Sequence, residues 1–155
     1  MEIKKNTSML LFRFSNYNKY SFIDEHLNEI NNNKYVWMLK AGRKSNMVKI
    51  ADIIKQGGYM ILKAPKADNG KYYVARFTEV QELMPEDKKY PEYYEEFMDD
   101  MYSEEQWFKL TEISELADSD VNKLVLEKNS SSVSDVISTT RTSVMFIKNK
   151  EDIKY

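Results

Sequence analysis

Gly57 to Leu83, GGYMILKAPKADNGKYYVARFTEVQEL, is where the periodicity of this chain changes. Two glycines stop whatever precedes them, and YMILKA (59–64) is a short apolar strand. PKADNG (65–70) collects turn residues, and Lys71 to Leu83 is a long run rich in β-branched and aromatic residues. The spacing predicts an antiparallel hairpin with a six-residue connection. Upstream, the order is strand (SMLLFRF, 8–14), helix, strand (KYVWMLK, 34–40), helix. Ser21 is placed to cap the first helix, with Ile23, Leu27 and Ile30 on its apolar face, and the Asn31–Asn33 run ends it. Ser45 is placed to cap the second, with Met47, Ile50, Ala51 and Ile54 on one face.

Downstream the pattern is mostly strand. WFKLTEI (107–113), Leu124–Leu126 and SVMFIK (143–148) read as extended, with a turn or short helix over 117–123 and one helical turn near Val133–Ile137. A doubly wound sheet needs strand and helix to alternate throughout, and this chain stops alternating after Gly58. The expected fold is therefore α+β: a small, curved, mostly antiparallel sheet or barrel flanked by helices, spanning 1–155 as a single domain. Within it, Pro85 to Glu105 is an acidic insertion, where Pro91 suits a helix start and Tyr94, Phe97, Met98 and Met101 share an apolar face.

Composition narrows the chemistry. At 155 residues the chain can bury a core, and 13% aromatics exclude wholesale disorder. Cysteine is absent, so disulfide frameworks, thiolate nucleophiles and zinc–cysteine sites are excluded. The single histidine, His26, reads as a surface or boundary residue of the first helix. No phosphate-loop, dinucleotide, nucleophile-elbow or HExxH pattern occurs. Paired carboxylates at Glu95, Glu96, Asp99 and Asp100 could bind Mg²⁺ or trade protons, but they fall on the solvated face of the acidic helix. No cofactor or metal is expected. Without a long apolar run or a signal-like leader, the sequence reads as a soluble, cytoplasmic protein with no membrane partner.

The net charge of -2 is unevenly laid out: residues 1–33 balance four cations against four anions, 34–76 carry ten against two, and 77–155 carry nine against nineteen. A local cationic stretch creates a field that a phosphate backbone would feel. In its middle, YVWMLKAGRKS (35–45) brings an aromatic strand through a glycine turn, among Lys40, Arg43 and Lys44, to a helix start. Trp37 there is either a stacking surface for a base or, by strand alternation, core.

The strand ending in Ser15-Asn16-Tyr17, the helix after it, and YVWMLKAGRKS resemble the start of the PUA-like superfamily, nearest its EVE and YTH branches. GGYMILKAPKADNGKYYVARFTEV resembles the central hairpin of those domains, and WFKLTEI and TTRTSVMFI resemble their later strands. The resemblance implies a small barrel that binds nucleic acid, DNA or RNA, taking one base, plain or modified, into an aromatic pocket. It would make Trp37 and Trp107 pocket walls, Ser15 and Asn16 the readers of the base edge, and Lys40, Arg43 and Arg141 the phosphate holders, with Lys44 on the basic rim. The acidic insertion has no counterpart in that pattern. Two rival readings follow: a protein-interaction or inhibitor module acting through the acidic helix 91–105, and an ASCH-like ribonuclease using Lys40, Lys63 or Arg76.

Overall fold

A computed structural model describes residues 1–100 and 104–155. The chain runs β1 (Glu2–Ile3), β2 (Ser8–Arg13), α1 (Phe22–Asn33), β3 (Val36–Ala41), α2 (Met47–Lys55), β4 (Tyr59–Lys63) and β5 (Tyr72–Gln81). Two short 3₁₀ segments follow, Glu92–Glu96 and Met98–Asp100. The remainder is β6 (Glu105–Leu116), α3 (Asp118–Val121), β7 (Leu124–Leu126), α4 (Val133–Thr139), β8 (Val144–Asn149) and β9 (Ile153–Lys154).

The fold is α+β. Seven strands form one sheet in the order β3-β6-β5-β4-β2-β8-β7, antiparallel except for the parallel pair β2/β4. The expected β4–β5 hairpin is present, in register from Tyr59↔Arg76 to Lys63↔Tyr72. The sheet does not close into a barrel, because its end strands β3 and β7 do not pair with each other. Two strands the sequence reading did not anticipate, β1 and β9, pair with each other and bring the chain ends together. Met1 N donates to the Tyr155 carbonyl at 2.9 Å.

Both faces of the sheet are covered where β4 and β2 run, so Tyr59–Leu62 and Met9–Phe12 are apolar without interruption. In β2, Leu10 packs under α1 and α2 with Ile23, Ile50 and Ile53, whereas Met9 and Leu11 face the opposite core of Ile3, Val121, Val133 and Ile153. Ser21 caps α1 as the sequence indicates. The cap of α2 is Asn46, not Ser45: its side-chain oxygen accepts from Val48 N and Lys49 N. The buried face of α2 carries Ile50 and Ile53, with Ile54 half-buried, while Met47 and Ala51 are exposed.

The α2–β4 junction depends on a close approach. Gly58 has φ +68, and a Cβ there would lie 2.1 Å from the Phe77 carbonyl oxygen. Gly42 has φ +98 with open space around it. Gly42→Ala should therefore cost roughly 1 to 2 kcal/mol from backbone strain alone. Gly58→Ala should cost at least about twice that, because the carbonyl must also move. Urea unfolding of the two variants measures the difference, and equal costs would contradict the assigned contact.

Candidate functional site

The acidic insertion is not an amphipathic α-helix. Pro91 offers no side-chain cap, and Glu92, Glu95 and Glu96 would stand as like charges three and four residues apart on a helix. The segment instead makes a five-residue 3₁₀ turn, breaks at Phe97, where φ is -126, and makes a second of three residues. Met101 lies outside the described residues. What holds the segment down is aromatic: Tyr90, Tyr93 and Tyr94 are buried against Trp37, Leu39 and Trp107. Its carboxylates Glu92, Glu95, Glu96 and Asp99 are exposed, and two of them brace tyrosines. Glu95 accepts from Tyr90 Oη at 2.6 Å, and Glu96 from Tyr20 Oη at 2.9 Å.

This cover settles the alternatives for Trp37. Val36 and Met38 point toward α1, and Trp37 and Leu39 point the other way, beneath the insertion. Trp37 is only 4% exposed and Trp107 is fully buried, so neither is an open stacking wall. Trp107 donates to Glu105 Oε1 at 3.1 Å. Trp37 Nε1 lacks a hydrogen-bond partner among the described residues, though the indole lies near enough to Asp87 to help hold that carboxylate ionised. Burial pushes the Asp87 carboxyl up, but hydrogen bonds from Tyr35 and Lys89 N outweigh it and set it below the usual range. The cation beside Trp37 is Lys109, 5.9 Å from the ring centre, rather than Lys40.

The expected basic rim is also rearranged. Lys40 is 4% exposed and its ammonium is turned onto the Arg43 carbonyl. Burial lowers its pKa, partly countered by Glu104. Lys44 is paired with Glu82 at 3.3 Å, and only Arg43 of the three stands exposed. The ribonuclease residues do not converge. Lys63 and Arg76 occupy opposite ends of the β4–β5 ladder, where Arg76 is bonded to the Gly57 carbonyl.

One hydrogen-bonded chain ties the cover to the rest of the molecule. His26, expected near the surface, is fully buried. Its Nδ1 lies 2.7 Å from the Phe22 carbonyl, which can only accept, so Nδ1 carries the hydrogen and Nε2 accepts from Tyr94 Oη at 2.6 Å. Tyr94 Oη in turn accepts from Leu39 N at 3.3 Å on the edge strand β3. Trp37 N donates to the Lys89 carbonyl at 2.7 Å, so the insertion also satisfies that edge.

Beside the cover lies an open pocket of about 480 Å³. Phe12 reaches it from β2, Phe14 and Tyr17 from the segment that follows, Phe22 from α1, and Tyr93, Tyr94 and Phe97 from the insertion. Of these rings Phe12, Tyr17 and Phe97 are half-buried, and Tyr17 and Phe97 lie 5.0 Å apart with their planes tilted by 55°. Ser15 and Asn16 are here, as the sequence suggests, with Ser143 opposite. Ser15 is exposed, and its hydroxyl makes no hydrogen bond among the described residues. Asn16 is largely committed: Oδ1 accepts from Phe22 N at 2.9 Å and Nδ2 donates to Asp68 at 3.1 Å. Arg141 is exposed on the loop that carries Ser143. A larger hollow of about 730 Å³, beside β7 and β8, has one aromatic ring, Phe146, among its lining residues.

Tyr17, Tyr93 and Phe97 were not anticipated as site residues. For Tyr93 and Phe97 the signal is the density of aromatics between Pro91 and Asp99, too many for a solvated helix face. Among the described residues no cluster of three or more histidines or carboxylates is placed to hold a metal, and no helix is long and apolar enough to cross a membrane. Comparison with protein-family models, curated proteins and solved structures gives no match.

His26 makes the cover sensitive to acid. Burial lowers its pKa from 6.5 to about 4, the Phe22 bond opposing the shift. Below pH 6.5 the unfolded imidazole is protonated while the folded one stays neutral. Stability is therefore full above that pH and falls as pH drops toward 4, by at most about 1.4 kcal/mol per pH unit from this group. Denaturant midpoints taken from pH 7 to 4 should show the extra slope in the native protein and not in His26→Gln. An imidazole that titrates by NMR at its ordinary value would refute the assignment.

Proposed function

We propose that the protein is a noncatalytic nucleic-acid-binding module that takes one unpaired base, plain or modified, into the aromatic pocket against Phe12 and the touching pair Tyr17 and Phe97, in a PUA-like setting. The single observation that supports this reading is the open aromatic pocket at Ser15–Tyr17, the segment where the sequence resembles the EVE and YTH branches. A flat guest gains stacking contact with these rings, and Ser15 and Ser143 offer hydroxyls at the rim. Lifting a base out of a strand costs a few kcal/mol, least where it is already unpaired, so single strands are the preferred ligand. Such a module would work in the cytoplasm.

A second reading, docking on a basic protein, is favoured by Glu92 and Asp99, which face solvent on the insertion without an ion-pair partner among the described residues. Its partner would be lost on neutralising those two groups, with oligonucleotide binding intact.

Phe97→Ala and Tyr17→Ala should each weaken binding of a single-stranded oligonucleotide by roughly 1 to 3 kcal/mol in fluorescence anisotropy. Arg43→Ala, at a residue that does not line the pocket, should change it far less. If the native protein retains neither plain nor modified single-stranded DNA or RNA, the reading fails.

A further inference from the structure

We infer that Arg13 and Lys63 form an anion site that takes a phosphate group; resting on the function proposed above, this is the phosphodiester flanking the base in the aromatic pocket. The two residues are direct partners in the parallel pair of β2 and β4. Two like charges facing each other across a ladder destabilise it. Nature usually relieves such a pair with a carboxylate, yet neither cation is ion-paired among the described residues. Asp68, on the nearby turn, bonds Asn16 instead.

Backbone carbonyls and a ring hold the two cations in place without neutralising them. Arg13 Nη1 donates to the Thr140 carbonyl at 2.6 Å, leaving four of the five guanidinium N–H groups. Lys63 Nζ donates to the Ala64 and Gly70 carbonyls at 3.0 and 2.6 Å, leaving one of its three hydrogens, and lies 4.9 Å from the centre of the Tyr72 ring. Both side chains are half-buried, so an anion reaching them would be partly shielded from water. Burial lowers the Lys63 pKa, and the positive charge of Arg13 lowers it further, as expected for a cation pair lacking its counterion.

Position links this site to the pocket. Phe12 and Phe14 line the pocket, and Arg13 between them projects from the other side of the strand. Arg13 N donates to the carbonyl of Ser143, another pocket residue, at 2.8 Å. Arg141, next to the Thr140 that holds Arg13, is exposed and adds a third positive group to this end of the sheet. A strand leaving the pocket around the end of β2 would meet these cations first.

Titrating the ¹⁵N-labelled protein with inorganic phosphate tests the site without any nucleic acid. Saturable shifts are expected at the Lys63, Ala64 and Gly70 amides, abolished in Arg13→Gln and in Lys63→Gln and kept in Lys63→Arg. With a single-stranded oligonucleotide, Arg13→Gln should flatten the dependence of log affinity on log salt by about 0.7. Phe97→Ala should lower affinity and leave that slope as it is. Absence of the phosphate shifts together with an unchanged slope overturns the anion site, whatever the pocket variant does. Phosphate shifts in a protein that retains no oligonucleotide would uphold the site and overturn the nucleic-acid reading.

Discussion

Two indoles on the outer face of β3 and β6 have to be kept from water, and much of the molecule's character follows from how that is done. A sheet face carrying Trp37, Leu39 and Trp107 at its edge is an aggregation hazard unless something lies over it. The aromatic residues of the insertion do so, burying three tyrosines against the indoles. The same segment satisfies the open edge of β3, since Lys89 accepts from Trp37 N and Tyr94 from Leu39 N. His26 then ties this cover to α1 through the Tyr94 hydroxyl, in a site where an unmade hydrogen bond would cost roughly 1 to 3 kcal/mol.

Because the insertion is anchored over the indoles, its far end stands beside the loop that follows β2. Phe97 and Tyr93 thus pack against Tyr17 and line the aromatic pocket together with it and Phe12. The negative charge of the insertion is displaced outward, while Arg13, Lys63 and Arg141 occupy the end of the sheet near the pocket. On the proposed reading, an acidic segment over β3 and β6 and a phosphate-binding pair on β2 and β4 belong to different strands of one sheet.

Much of the architecture was legible in local signals. The β4–β5 hairpin could be read from its turn residues, α1 from Ser21 and its apolar stripe, and the α+β class from the loss of alternation after Gly58. The failures share a cause. Trp37 alternates correctly on its strand, but alternation assigns it to a face without saying what covers that face. His26 sits one turn from Phe22, and its burial depends on a tyrosine 68 residues away. The charge of Lys40 suggests exposure, yet its stem is buried and its ammonium is satisfied by the carbonyl of Arg43, three residues on, through a turn that residue type does not specify. Sheet closure was also illegible, because it depends on how strands at the two ends of the order meet.

By itself, the sequence determined most of the extended and helical segments, the absence of thiol chemistry, and an aromatic-rich composition with segregated charge. These are properties of residue type and of spacing along the chain. Only the tertiary structure decided that the indoles are core, that the pocket belongs to Phe12, Tyr17 and Phe97, and that Arg13 faces Lys63. Those outcomes depend on contacts between residues far apart in the chain, where exposure is set by what another element happens to cover.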